Sequence, residues 1–146
     1  AAQARGLTSA LLNIGGNVRA SAQSPAASPG PRVLRIPGAM TPRTYRPVEL
    51  ADGDSLVISG DYQRYFEYDG VRYAHLIDLT TGYPARYVSS VAVLARADTG
   101  GLADALSTGF FCLPEETGQA LAAQNHYAVL WMHPDETTSR SADWPQ

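Results

Sequence analysis

An Asp-Gly pair at positions 69 and 70 constrains the fold of this chain more than any other local feature. The pair separates two short strand-like segments, residues 65–68 and 71–77. Both residues tolerate the positive φ angles of a two-residue hairpin turn, so an Asp-Gly pair between two such segments is a strong hairpin signal. The sequence therefore predicts a β-hairpin over residues 65–77.

The second arm of this hairpin carries a histidine, and its alternation predicts which way that side chain points. Side chains of a strand point alternately to its two faces. The expected faces are Val71, Tyr73, His75 and Ile77 on one side and Arg72, Ala74, Leu76 and Asp78 on the other. His75 and Asp78 are therefore predicted to leave the strand in opposite directions.

The remaining periodic segments predict an α+β fold. Further strands are expected at residues 10–14, 56–58, 89–96 and 127–132, the first of them short and buried. Helices are expected from Gly101, with Leu102, Leu106 and Phe110 as the apolar side, and over residues 115–123. Because strands and helices follow no regular βαβ period, we expect a largely antiparallel sheet with flanking helices.

Two segments carry no clear periodicity. Residues 21–47 hold six prolines, which predicts a long surface excursion with at most one edge strand at residues 33–36. Residues 134–146 are expected to form a loose polar tail, so that residues 1–133 make up the main unit.

Composition limits the classes of function. The chain has 146 residues, enough for one domain, and its net charge of −3 gives no broad basic face for nucleic acid. A single cysteine, Cys112, excludes an intrachain disulfide and a cysteine-based zinc cluster. Residue 1 is Ala rather than Met, and we expect the sequence to begin inside a longer protein.

Asp104 and Thr108 lie four residues apart in the predicted helix, and two interpretations stay open. Residues at this spacing share one helix face, and an Asp near the start of a helix is favoured by the helix dipole. Alternatively, a carboxylate and a hydroxyl one turn apart offer two hard oxygens to Mg²⁺, which takes its other ligands from water and phosphate.

The histidine and two glycine-containing segments also have two interpretations each. His75 is either a packed, hydrogen-bonded ring or a general base, since histidine can accept a hydroxyl proton near neutral pH. The segments Gly15-Gly16 and Ser59-Gly60 are either turns or places where the backbone approaches a ligand closely.

The order of these motifs resembles one family. The runs are Asn13-Ile-Gly-Gly-Asn17, Ser59-Gly-Asp-Tyr62, His75-Leu-Ile-Asp-Leu-Thr-Thr-Gly-Tyr-Pro84, Ser90-Val91 and Ala103-Asp-Ala-Leu-Ser-Thr108. In this order they resemble the ApbE family of FAD:protein FMN transferases. The resemblance covers residues 11–132 and implies part of an ApbE-like, T-fold-like domain.

The resemblance implies a role for each motif residue. Asp104 and Thr108 match the family's side-chain ligands to Mg²⁺, and His75 matches the base that deprotonates the acceptor hydroxyl. Contacts to FAD, or a part in shaping its site, are implied for Ser59, Gly60, Ile77, Asp78 and Thr81. The implied reaction moves FMN from FAD to a Ser or Thr hydroxyl of an acceptor protein.

The resemblance also implies partners and a location. The family's N-terminal portion supplies much of its FAD pocket, so we expect a complementing N-terminal half or a homo-oligomer. Family members are exported, which implies the periplasm or cell envelope. Two alternatives are a non-catalytic flavin- or metal-binding remnant and a truncated fragment that exposes the apolar edge of its first strand.

Overall fold

The computed structural model describes residues 3–6, 9–22, 32–36, 46–62, 64–96 and 99–146. In chain order the elements are a 3-10 helix (Gln3–Arg5), β1 (Ser9–Ile14), β2 (Asn17–Ala22), β3 (Arg32–Ile36), β4 (Arg46–Leu50), β5 (Ser55–Gly60), β6 (Tyr65–Tyr68), β7 (Val71–Ala74), β8 (Ile77–Asp78), β9 (Tyr83–Pro84), β10 (Ser90–Ala95), α1 (Gly100–Phe111), α2 (Glu115–Asn125), β11 (Ala128–Met132) and β12 (Thr138–Arg140).

A six-stranded sheet with the order β1-β2-β5-β10-β11-β12 forms the centre, and every pairing in it is antiparallel. Among the described residues, three two-stranded antiparallel pairs, β3–β4, β6–β7 and β8–β9, lie outside it. The expected α+β class with a largely antiparallel sheet and flanking helices is confirmed.

The central strand β10 buries both of its faces, which explains its unbroken apolar sequence. On one face Val91 and Val93 pack in a cluster with Phe110 and Phe111 of α1. On the other face Ala92 and Leu94 pack in a second cluster with Leu50 of β4 and Trp144 near the C-terminus. The sheet is thus covered by helices on one side and by β4 with the C-terminal segment on the other.

The Asp-Gly hairpin is confirmed. Asp69 and Gly70 have φ angles of 51° and 71°, and two positive φ angles are the signature of a type I′ turn. Strand β7 ends at Ala74, earlier than predicted, but the alternation continues beyond it. His75 is exposed and Asp78 is buried, as their opposite directions require.

The predicted burial of the first strand is wrong. Strand β1 forms where expected, but Leu11, Leu12 and Ile14 are 43%, 50% and 77% exposed. The reason is position, because β1 is an edge strand and pairs only with β2 among the described residues. An apolar run predicts a strand without saying whether anything covers it.

The predicted apolar side of the first helix is wrong for Leu102, which is 50% exposed. The buried face consists of Gly100, Ala103, Ser107, Phe110 and Phe111, and Leu106 is only partly buried. Small side chains at Ala103 and Ser107 let the helix backbone come close to β5 and β10. Close approach of the α1 backbone to the sheet, more than the hydrophobicity of the side chains, therefore decides which face of α1 is buried.

The two segments without clear periodicity contain more structure than predicted. The strand expected at residues 33–36 is present in β3, but its partner β4 was not foreseen; residues 23–31 and 37–45 lie outside the described part. The tail is not loose. Strand β12 pairs with β11, Trp144 is buried, and the Ser141 hydroxyl accepts a hydrogen bond from the Val129 amide and donates one to the Tyr127 carbonyl.

Of the helices in the described ranges, none has the length and apolar character to cross a bilayer.

Candidate functional site

A cleft of about 190 Å³ opens where the end of β5 meets α1 and the residues after β7. Its lining residues are Gly15, Ile58, Ser59, Gly60, Tyr62, Arg64, His75, Leu76, Asp104 and Thr108. Five of the eight site residues predicted from the sequence therefore meet in one place, although they come from three separate parts of the chain.

His75 is held by a single carbonyl group. The Arg64 carbonyl oxygen accepts a hydrogen bond from the His75 amide at 3.2 Å and lies 3.1 Å from His75 Nδ1. A carbonyl oxygen has no proton to give, so Nδ1 is the donor. In the neutral ring Nε2 then carries the lone pair, and the exposed ring presents a proton acceptor to the cleft.

The Asp104/Thr108 pair is joined to the sheet by a chain of hydroxyl groups. Ser59 Oγ on β5 lies 2.8 Å from Ser107 Oγ and 3.3 Å from Thr108 Oγ1. The Ser107 hydroxyl, fully buried, donates to the Asp104 carbonyl at 2.9 Å. Because that donor is used, the Ser59 hydroxyl is left to donate to Ser107 or to Thr108. The network fixes the turn of α1 that carries both candidate metal ligands.

The two glycine-containing segments, Gly15-Gly16 and Ser59-Gly60, are explained in part by packing. A Cβ atom on Gly60 would lie 2.7 Å from Tyr62 Cδ1 and 2.9 Å from Ser90 Cβ. Gly16 has a φ of +96°, and a Cβ atom there would lie 3.1 Å from the Ile58 carbonyl oxygen. Both positions need glycine for close approach of protein atoms, whatever else the cleft binds.

Tyr62 places a phenol beside the cleft. Burial raises the pKa of this phenol, and the negative charge of Asp61 adds to the rise. Burial also raises the pKa of Asp61, against the opposing effect of Arg72, whose guanidinium lies 3.7 Å from the carboxylate. The Tyr62 hydroxyl is therefore protonated at neutral pH and is a hydrogen-bond donor.

Ile77, Asp78 and Thr81 do not line this cleft and lie in the β8–β9 hairpin that follows it. The Asp78 carboxylate accepts hydrogen bonds from the Thr80 amide at 2.8 Å and the Tyr87 hydroxyl at 3.0 Å. These bonds, chiefly that of the Thr80 amide, hold the pKa of Asp78 below its usual value. Asp78 thus shapes the turn, and contacts of these three residues with FAD stay a prediction.

The chemistry of the donor set suits a hard cation. Asp104 and Thr108 are both exposed toward the cleft and supply a carboxylate and a hydroxyl oxygen. In the part of the chain that the structure describes, no three His, Cys, Asp or Glu side chains group closely enough to hold a metal by themselves. A magnesium ion with two protein oxygens and open positions for water and phosphate is compatible with this arrangement.

Three residues of the site were missed from the sequence. Arg64 acts through its carbonyl, and the turn register could have revealed it, because counting outward from the Asp69-Gly70 pair places residue 64 opposite residue 75. Ser107 lies inside the Ala-Asp-x-x-x-Thr motif as an unspecified position. Tyr62 closes the Ser59-Gly-Asp-Tyr62 run, but it was assigned no role from the sequence.

Taken together, fold and cleft define a class: an antiparallel α+β domain that gathers a histidine, a carboxylate and several hydroxyl groups at the end of one strand. The model of the ApbE family matches residues 1–131, so the chain belongs to the ApbE family.

Relatives of the chain carry the name FAD:protein FMN transferase. The protein from Vibrio cholerae is 36% identical over 129 residues, covering 88% of this chain and 38% of its own length. The protein from Treponema pallidum is 37% identical over 152 residues, covering 95% of this chain and 40% of its own length. The chain thus spans about two fifths of these relatives.

Solved structures of the family show the same fold. The ApbE protein from Thermotoga maritima superposes with a TM-score of 0.78 at 33% identity, covering 92% of this chain and 43% of that chain. The flavinyl transferase ApbE from Pseudomonas stutzeri gives a TM-score of 0.75 at 32% identity, covering 97% and 44%. The ApbE-like fold expected from the motif order is confirmed.

Proposed function

We propose that this chain forms the histidine-bearing part of the active site of an FAD:protein FMN transferase, which moves FMN from FAD to a Ser or Thr hydroxyl of an acceptor protein. One observation carries the proposal. A histidine with its Nδ1 proton engaged and its Nε2 lone pair available shares one cleft with the Asp104/Thr108 pair. The names of the relatives, with the family match, support the choice of flavin transfer.

The reaction needs a base more than it needs covalent chemistry from the protein. The acceptor oxygen attacks the FMN-side phosphorus of FAD; a phosphate ester bond forms, the pyrophosphate bond breaks and AMP leaves. The hydroxyl proton passes to Nε2 of His75. The Arg64 carbonyl keeps the other ring proton on Nδ1, so the ring enters each cycle in the tautomer that accepts.

Asp104 and Thr108 would hold Mg²⁺ in this proposal. The ion would neutralise charge on the phosphate oxygens as a Lewis acid. What the chain itself contributes is orientation. Ser59 and Ser107 fix the α1 turn that carries both ligands, so their oxygens need little rearrangement to bind. Preorganisation of this kind lowers the cost of assembling a charged site.

The flavin substrate would contact both the cleft and the following hairpin. Ser59 and Gly60 line the cleft. Ile77, Asp78 and Thr81 lie in the β8–β9 hairpin, which follows His75 in the chain. An N-terminal half or a second copy would complete the pocket. A location in the periplasm or cell envelope is part of the proposal, as the resemblance to the family implies.

The test is flavin transfer to an acceptor protein in the presence of FAD and MgCl₂. The chain is assayed alone and together with the N-terminal part of the Vibrio cholerae relative. We expect His75→Ala to reduce transfer by about 10²- to 10⁴-fold, the usual contribution of a general base. His126→Asn is the matched control, because His126 lies at the end of α2, outside the cleft, in a left-handed conformation that Asn tolerates.

Equal transfer by the wild type and His75→Ala would remove His75 from the mechanism. Tight flavin binding without any transfer, measured by flavin fluorescence, would instead favour a non-catalytic flavin-binding protein.

A further inference from the structure

Strand β6 is an exposed edge strand that begins next to the cleft, directly after Arg64. All four of its residues, Tyr65–Tyr68, are exposed. Among the described residues it pairs only with β7, so its other edge has no backbone partner there. Edges of this kind offer unpaired N–H and C=O groups to any extended chain.

The hydrogen-bond pattern of the hairpin shows which groups are free. Directly opposite residues of an antiparallel pair alternate between hydrogen-bonded and non-hydrogen-bonded. The Arg64–His75 pair is hydrogen-bonded, so the Phe66–Tyr73 pair is hydrogen-bonded as well. The backbone groups of Tyr65 and Glu67 therefore point outward, and they recur at about 7 Å, two residues of a strand.

The free edge of β6 leads directly to the candidate base. Tyr65 follows Arg64, which lines the cleft and whose carbonyl holds His75. Phe66 is 61% exposed and stacks on Tyr73 with ring centroids 5.0 Å apart. Tyr73 and His75 lie two residues apart, on the same face of the hairpin. An apolar shelf, Phe66 and Tyr73, thus adjoins the exposed edge next to the base.

We propose that an extended segment of the acceptor protein, adjoining its Ser or Thr, pairs with β6 as an added strand. The inference rests on the proposed function, because that reaction requires a polypeptide to bring a hydroxyl to Nε2 of His75. An added strand lies about 4.8 Å from β6, and so about 10 Å from β7. About three extended residues cover that distance at roughly 3.4 Å each.

The chemistry of the edge selects a polypeptide over the flavin. Alternating outward donors and acceptors at Tyr65 and Glu67 match the repeat of an extended peptide backbone, which is how sheet edges recognise peptides. Main-chain pairing carries little side-chain specificity, whereas Phe66 and Tyr73 offer an apolar contact to alternate side chains of the acceptor. The occupied segment lies about three residues from the modified hydroxyl.

The test removes one outward donor without removing a side-chain contact. Glu67→Pro abolishes the outward N–H, and proline is tolerated at an outward-facing position of an edge strand. Glu67→Ala is the matched control, because both variants lose the ion pair with Arg72 but only the first loses the donor. We expect the KM for the acceptor to be about three- to tenfold higher in Glu67→Pro than in Glu67→Ala, the effect of one hydrogen bond.

FAD affinity, measured by flavin fluorescence, is expected to be equal in the two variants. The probe is the protein acceptor of the Vibrio cholerae relative, with its modified residue located by mass spectrometry. A second measurement avoids any folding defect of the proline variant. Synthetic peptides spanning the modified residue, each with one backbone nitrogen methylated, are assayed on the unaltered protein. Methylation is expected to weaken binding at every second position within the paired segment.

Equal KM values in the two Glu67 variants, or methylation effects without alternation, would overturn the inference while leaving the proposed function intact. A dimer that dissociates in Glu67→Pro with no change in acceptor affinity would assign the edge to a second copy instead. If the unaltered chain transfers no flavin even when it is combined with the N-terminal part of the Vibrio cholerae relative, the proposed function is refuted, and the docking of an acceptor is refuted with it.

Discussion

Replacing Gly60 with alanine tests whether the end of β5 is as tightly packed as the structure indicates. The added methyl group would meet the Tyr62 ring on one side and Ser90 Cβ at 2.9 Å on the other. Real Cβ atoms do not approach other carbon atoms so closely. Ser90 is fully buried on the central strand and lies directly opposite Gly60 in the ladder, so it has no room to move.

Two effects of opposite sign set the size of the change. Overpacking costs about 1–3 kcal/mol where the neighbouring atoms cannot move, as at the fully buried Ser90 beside the half-buried Gly60. Replacing glycine with alanine in an extended conformation returns about 0.5 kcal/mol, because the unfolded chain loses freedom. The net expectation is a loss of about 1.5 kcal/mol in the free energy of unfolding. For a domain of this size that corresponds to a melting temperature lower by roughly 5 °C.

Urea unfolding followed by circular dichroism measures the loss directly. Gly109→Ala is the matched control, because Gly109 lies in α1 and, apart from its chain neighbours and the backbone of its own helix, no atom lies within 4 Å of its Cβ position. That variant is expected to be more stable than the wild type by about 0.5–1 kcal/mol. In a Tyr62→Ala background the ring contact is gone, and the cost of Gly60→Ala is expected to fall by about 1 kcal/mol. Equal stability of Gly60→Ala and the wild type would refute the packing argument.

Two further predictions concern buried polar groups. The pKa of Asp78 is lowered in the folded protein, chiefly by the Thr80 amide, so its stabilisation is present above the unfolded pKa of about 4 and lost as pH falls through the folded value. Asp78→Asn is expected to flatten the dependence of the free energy of unfolding on pH below about pH 4, measured by urea unfolding at each pH; a pH dependence equal to that of the wild type would contradict this. Ser107→Ala is expected to cost about 1–2 kcal/mol, because it leaves the Ser59 hydroxyl without its nearest partner. Ser107→Thr, which keeps the hydroxyl, is the control. A free energy of unfolding of Ser107→Ala equal to that of the wild type would show that these hydrogen bonds do not stabilise the fold.

Local patterns predicted the hairpin and the directions of its side chains. Asp69 and Gly70 adopt the positive φ angles that the turn demands, and the alternation beyond them separates exposed His75 from buried Asp78. Such features depend on neighbours in the chain, so a single sequence contains them. The Asp104/Thr108 pair was predictable for the same reason, since the helical repeat alone places the two residues on one face.

Features that depend on distant contacts were not predictable in this way. Leu11 and Leu12 read as buried, yet they are exposed because β1 is at the edge of the sheet. Trp144 was assigned to a loose tail, yet it packs against the far face of the sheet. Ser107 was assigned no role from the sequence, because its hydroxyl gains one only through the approach of Ser59 from β5. In each case the deciding partner is remote in sequence.

The double hydrogen bond at the Arg64 carbonyl ties the tautomer of His75 to the length of a turn. Strand pairing counts residues outward from Asp69 and Gly70, and five steps on each side bring residue 64 opposite residue 75. One inserted residue in the turn would place a different carbonyl against the ring and send the imidazole to the other face. The turn lies more than 15 Å from His75 along the hairpin, at about 3.4 Å per residue. The number of residues in that surface turn therefore decides which nitrogen of the His75 ring accepts a proton.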